Sequence, residues 1–436
     1  MQSPTSDVGT RRAVSKRRVV LTGIGPITSV GIGKNEFWEN LKAGKSGIST
    51  LSFAHSKDWE GIDIKIGGEI KNFLPEKYFS DPKLLKTMQK DMDRVSQFAI
   101  VGAKLALENS KLDLSKEDTT RVSTFVASGV GGVTTIGNDQ TTLLNSGQKK
   151  IGVRTIIRMM PNAPSGHIGI IWNLKGRAKS DSTACASGLD SILDALNWIR
   201  LNRADIVITG GTEASLAPLC VASFSNMGAL SKRQCPPEMA SCPFSKERDG
   251  FVMAEGAVIL ILEELNHALS RGAKIYAEIT GGAGTCDASH ITAPHETGDG
   301  AARAMAEAMK DANIRPEDIN YIHAHGTSTP LNDARETLAI KKVFGDHAKK
   351  IAVTSSKSMT GHLIGAAGPL GVALTALTIE NGIITPTINY RIPDPECDLD
   401  YVPNKAREQK VNAGLVSALG FGGHNTVIAL KRFVPE

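Results

Sequence analysis

Apolar positions along the chain fall into two rhythms. Short and nearly unbroken apolar runs at residues 18–25, 123–128, 206–209, 258–262, 351–354 and 426–430 read as strands buried on both faces. Residues 274–284 read as another strand with a glycine-rich end. Between these runs, residues 97–107, 189–201, 300–312 and 333–343 carry apolar side chains at helical spacing, the stripe of a helix packed by one face. The uncharged stretch 363–379 is interrupted by Gly365, Gly368, Pro369 and Gly371. It is too short and too broken for a membrane span and reads as a buried helix. Strand–helix alternation of this kind predicts an α/β protein in layers. A Thr-Gly pair closes the first run (Thr22, Gly23) and recurs at Thr280 and Gly281, a hint of two related halves that change over near residue 266.

Composition narrows the class. With 436 residues, 41% hydrophobic, the chain can bury a large core, which excludes disordered and disulfide-dependent scaffolds. Its 43 glycines include the clusters at 129–132 and 420–423, the mark of close backbone approach. A formal charge of +5 is no nucleic-acid footprint at this size. The six cysteines contain no Cys-x-x-Cys pair; Cys286, His290 and His295 lie close in sequence but read as a polar loop rather than a metal site. No metal is expected. Residues 1–17 are polar and basic without an apolar core for a signal peptide, and read as a disordered leader on a soluble, cytoplasmic protein with no membrane partner.

Four segments carry chemistry. In Asp181-Ser-Thr-Ala-Cys-Ala-Ser-Gly188, Cys185 stands at a turn entering a helix, among side chains small enough to admit a substrate. The helix N-terminus is expected to lower the thiol pKa and to face developing negative charge. A small buried cysteine is the commoner fate of a single Cys, and this segment alone fits either reading. Residues 321–333 deliver His325 to a glycine corner, followed by Thr327 and Thr329 on alternate positions; residues 355–362 place His362 after another strand end and polar turn. One cysteine and two histidines suit thiol acyl chemistry. In 419–425, glycines around Phe421 free its backbone N–H to meet a ligand, as in an oxyanion hole, or simply make a turn before the last strand.

These segments, together with 245–251 and 394–403, resemble the β-ketoacyl-acyl-carrier-protein synthases in order and approximate spacing, most nearly the type II elongating synthases of bacterial fatty-acid synthesis. The resemblance runs from about residue 18 to 431. It implies the thiolase fold: a five-layered α-β-α-β-α sandwich of two related halves, 18–265 with the nucleophile and 266–436 with both histidines. It implies a homodimer formed through the N-terminal half. It also implies roles. Cys185 would accept the acyl group, and His325 and His362 would bind the malonyl thioester carbonyl and promote decarboxylation. The N–H groups of Cys185 and Phe421 would form the oxyanion hole, with the Phe421 ring gating the acyl pocket. Thr327 and Thr329 would hold the phosphopantetheine arm of acyl carrier protein, and Lys357 would support the His362 region from behind. No cofactor is implied beyond that arm.

The chain departs from the family at three places. Gly371 stands where a Glu is usual, nine residues after the second His, which puts in doubt a buried polar network and a cation site seen in some members. His323 stands where Asn is frequent, and Ser417-Ala-Leu where Asn-Ser-Phe is common. Other readings are a polyketide or specialised acyl synthase, a chain-length subunit lacking catalysis, which the presence of Cys185 argues against, and a Cys/His hydrolase. Lys83, Lys86, Lys90 and Arg94 have spacings that could make one basic helical face for an acidic carrier.

Overall fold

The strands that build the core are β1 (Val19–Thr28), β2 (Val122–Ala127), β3 (Ala178–Lys179), β4 (Ile206–Glu213), β5 (Gly256–Glu264), β6 (Ala277–Cys286), β7 (Tyr321–His323), β8 (Ala352–Thr354), β9 (Ala413–Gly420) and β10 (His424–Lys431). The computed structural model describes residues 17–234 and 236–435. The expected leader therefore lies outside the described residues, except Arg17. That residue is docked: its guanidinium donates to the Ala204 carbonyl at 3.0 Å and to Asp205 at 2.6 Å, so it belongs with the folded chain rather than with the expected leader.

Along the sheet the order is β8-β7-β9-β10-β6-β1-β5-β4-β2-β3. Numbered within its own half, each set of five runs first-fifth-fourth-second-third. The pairings repeat as well: the first two are antiparallel and the last two parallel in both halves. The halves meet where their first strands pair antiparallel, Val19 with Ile279, Val20 with Glu278 and Leu21 with Ala277. Two halves of one topology are thus plain in the backbone.

The main helices are α1 (Pro82–Asp91), α2 (Arg94–Ser110), α3 (Ser187–Arg200), α4 (Pro218–Asn226), α5 (Leu265–Ser270), α6 (Asp299–Ala312), α7 (Pro330–Phe344), α8 (Lys357–Thr360) and α9 (Ala367–Asn381). The apolar runs of the strands follow from burial on both faces. In β5, Val258, Leu260 and Leu262 face a central cluster shared with α3 and α9, whereas Ala257, Ile259 and Ile261 face a cluster covered by α2. In the other half, α6 and α7 cover the outer face with Met305, Ala308, Ile340 and Phe344. Helices outside, sheet, paired helices between, sheet and helices again make the five layers. The central pair packs closely because it has glycine where the backbones meet: a Cβ on Gly188 would lie 2.3 Å from the Gly365 carbonyl oxygen. The stretch 363–379, read as one helix, instead opens with a 3₁₀ turn, Ile364–Ala366, before α9 begins.

Candidate active site

Strand β3 feeds the turn that carries Cys185. Ser187, the first residue of α3, ties the turn down: its hydroxyl accepts from the Thr183 N–H at 2.9 Å and donates to the Ala184 carbonyl at 2.6 Å. Ala184 sits at φ 52°, a conformation that a residue with a Cβ adopts only at a cost of order 1–3 kcal/mol. Asp190, one turn into α3, accepts from the hydroxyls of both Thr183 and Thr426, which ties the Cys185 turn to β10 across the halves. Gly420 lies against the same turn; a Cβ there would be 2.7 Å from the Thr183 oxygen and 3.2 Å from the Cys185 nitrogen. This approach carries the Phe421 peptide to the side of Cys185.

His325 follows β7, and its peptide is held at both ends. Its N–H and that of Gly326 donate to Glu336 of α7 at 2.7 and 2.8 Å, and its carbonyl accepts from the Lys357 ammonium. Burial pushes Glu336 up and Lys357 down, while each charge opposes the shift of the other. His362 follows β8 and α8. Its Nδ1 accepts the Ile364 N–H at 3.2 Å, so in the neutral ring the proton sits on Nε2, which points at the Cys185 sulfur 3.1 Å away. The two imidazole centroids lie 5.3 Å apart at 83°. Burial and then the Lys357 charge hold His325 and His362 well below the ordinary histidine range, so both rings stay neutral.

These groups open into a cavity of about 510 Å³ lined by Cys185, His325, Thr327, Thr329, His362 and Phe421 among others. The Thr327 and Thr329 hydroxyls bond each other at 2.9 Å, and the Phe421 ring lies 6.3 Å from that of Phe224 on α4. Lys357, expected to support the His362 region, bonds instead to the carbonyl of His325 and stands behind that peptide. A larger groove of about 760 Å³, between Lys34, Lys111 and Tyr276, holds none of these groups.

The structure corrects some expectations. Burial outweighs the helix N-terminus at Cys185 and pushes the thiol up to about 12, so the resting group is an S–H. Arg94 does not belong to the exposed basic face: its guanidinium pairs with Glu255 at 2.7 Å and covers the Phe98 ring, whereas Lys83, Lys86 and Lys90 are exposed. His290 and His295 cap their own loop by accepting backbone N–H groups. Gly371 does not leave a vacant network: a Cβ there would meet His323 Nδ1 at 2.6 Å and Val416 at 2.7 Å. The atoms nearest that space belong to an imidazole and a methyl group, which are not the oxygen ligands a hard cation takes.

Sequence reasoning passed over Glu213 and Glu336. Glu213, at the end of β4, accepts from Ser128, Gly129 and Gly365 at 2.8–3.1 Å, and burial raises it to about 7. It joins the 128–130 turn to the segment after His362. The signal for Glu213 was a lone acid closing an apolar run, weak until the fold shows what it faces, and Glu336 gave none, since Asp333, Arg335 and Thr337 beside it make it look like any polar helix position.

Residues 16–268 match the family described as "Beta-ketoacyl synthase, N-terminal domain" and residues 276–391 its C-terminal domain. The proteins named 3-oxoacyl-[acyl-carrier-protein] synthase 2 from Synechocystis sp. and Staphylococcus aureus (strain COL) are 43% and 42% identical to this chain, over 96% of it and 99% of each relative. Among solved structures, a type II PKS ketosynthase in complex with its acyl-carrier protein, bound to the hexaketide, superposes with TM-score 0.87 at 36% identity. The ishigamide ketosynthase/chain length factor gives 0.89 at 35%; each likeness covers 96% of this chain and 100% of the other. The chain belongs to the β-ketoacyl synthase family. It is accordingly a condensing enzyme of the acyltransferase class, most like, among these, the relatives named synthase 2.

Proposed function

We propose that the protein is a 3-oxoacyl-[acyl-carrier-protein] synthase that lengthens fatty acyl chains by two carbons, with Cys185, His325 and His362 doing the chemistry. The carrying observation is the contact between Cys185 Sγ and the protonated Nε2 of His362, with a second neutral imidazole beside it. In the first half-reaction the sulfur of Cys185 attacks the acyl thioester, and its proton passes to the departing pantetheine thiolate. Thr327 and Thr329 give up their mutual hydrogen bond to receive the arm. In the second, the C–C bond to the malonyl carboxylate breaks and carbon dioxide leaves. The resulting enolate oxygen takes hydrogen bonds from the two imidazoles. Such donors act on charge that appears only in the transition state. The enolate carbon then attacks the acyl-Cys185 carbonyl, the oxyanion is held by the Cys185 and Phe421 N–H groups, and the expelled thiolate takes a proton from solvent. No cofactor takes part beyond the carrier's arm.

A Cys/His hydrolase would need an open lone pair on His362 toward the thiol; Nε2 presents its proton instead. A polyketide or other specialised acyl chain would use the same steps, and the likeness to the hexaketide-bound ketosynthase supports keeping it as the second reading. We place the enzyme in the cytoplasm as a homodimer. Among the described residues no helix is long and apolar enough to cross a membrane. Strand β3 ends the sheet, and the segment leading to it exposes Leu144, Ile156, Ile157 and Ile170, an apolar surface that a second copy would cover. The test is incubation with acyl- and malonyl-carrier substrates, following carbon dioxide release and product length. Two-carbon elongation of saturated acyl chains supports the proposal. Release of free acid without condensation would overturn it.

A further inference from the structure

His323 is 1% exposed and lies two residues before His325 at the end of β7. It touches three segments that build the site. Its Nε2 bonds the Ser356 hydroxyl at 3.0 Å, and Ser356 is the residue from which α8 starts toward His362. Its other ring edge fills the space over Gly371 of α9, where an added Cβ would come within 2.6 Å of Nδ1 and 3.1 Å of Cε1. Its own strand continues directly into the His325 corner. We propose that His323 and Gly371 are a matched pair, the imidazole occupying the space of a missing side chain and acting as the positioning residue that fixes His325 relative to the His362 segment without a bound cation.

The chemistry of the surroundings points the same way. Burial and the Lys357 charge push His323 down to about 3, so the ring is an uncharged spacer with one hydrogen bond. A cation at this place would stand in the repulsive field of the Lys357 ammonium, which already acts on His323. The glycine is therefore a fitted part of α9, although glycine within a helix is ordinarily the weaker choice against alanine. The pair also links the two departures from the family: the space that a Cβ at 371 would take is held by the His323 imidazole.

The assignment of a catalytic role rests on the function proposed above, and the test separates the two. Thermal melting of Gly371→Ala, His323→Asn and the double variant needs no substrate. Gly371→Ala should lower the Tm, against the usual gain from alanine in a helix, and the loss should shrink when His323 is Asn, because Asn does not reach the new methyl. Wild-type Tm should not move when potassium, sodium or magnesium chloride is exchanged at constant ionic strength. Among the single variants, His323→Asn should reduce malonyl-thioester decarboxylation about tenfold while acylation of Cys185 stays within about twofold. Loss of both half-reactions in parallel would reduce His323 to a general packing role. A neutral or stabilising Gly371→Ala, strictly additive Tm changes, or a cation-dependent rise in wild-type Tm would overturn the matched pair. A wild-type protein with no decarboxylation would sink the functional reading and leave the melting result standing.

Discussion

Because the half-buried Cys185 rests as an S–H, the nucleophilic role proposed for it begins only when a thioester reaches it, and its loss leaves the donor pair untouched. Cys185→Ala should give no acyl adduct by intact-protein mass and no condensation, yet should still release carbon dioxide from malonyl donor. An adduct on another cysteine of the variant would refute the assignment. Removing either imidazole should act in the opposite sense: His325→Ala or His362→Ala should still form acyl-Cys185 while decarboxylation falls on the order of 10²–10³-fold. The pH dependence follows from the same burial. Both histidines titrate well below their ordinary value, so decarboxylation should show no loss of rate on crossing the usual histidine pKa of about 6.5. The unfolded chain does take up protons there, so melting temperature should fall as pH drops below that point. At this scale motif and strand end together pointed to three side chains, Cys185, His325 and His362, that the fold brings into one cluster. The sequence was silent on Glu336 and Glu213, whose meaning lies in backbone N–H groups contributed from 10 to 152 residues away.

Among the elements, α5 holds a test of electrostatics away from the site. His267 bonds Glu263 at 2.8 Å and Glu117 at 2.9 Å, and these carboxylates, Glu263 first, raise it to about 9. A histidine raised above its unfolded value contributes all of its stability below pH ~6.5 and loses it as pH rises through about 9. His267→Gln should therefore lower the Tm at pH 6 and change it little at pH 10. Equal losses at both would mean that packing, not charge, holds α5. On α1, Lys83, Lys86 and Lys90 remain as the exposed basic face. Reversing all three should raise the apparent KM for carrier-bound substrate and flatten its salt dependence, with little effect on a small pantetheine thioester. Strands were the legible elements, since burial on both faces writes a continuous apolar run. The 363–379 stretch misled because a wholly buried helix has no polar face to mark where its 3₁₀ opening gives way to α-helix.

For the whole molecule, the repeat hinted at by two Thr-Gly pairs is explicit in strand order, but the surface proposed to meet a second copy could not be read from periodicity, since an exposed apolar residue looks in sequence like any core residue. Sedimentation should show a dimer, and Ile156→Asp with Ile157→Asp should shift it toward monomer; an unchanged dimer would place the interface elsewhere. The symmetric pairing of β1 with β6, position by position, means that a half-turn about one line relates the two halves. Cys185 and His362 follow equivalent third strands, and the sulfur and Nε2 stand 3.1 Å apart. Each half therefore delivers one member of this contact from the same place in its own topology, and neither half alone holds both.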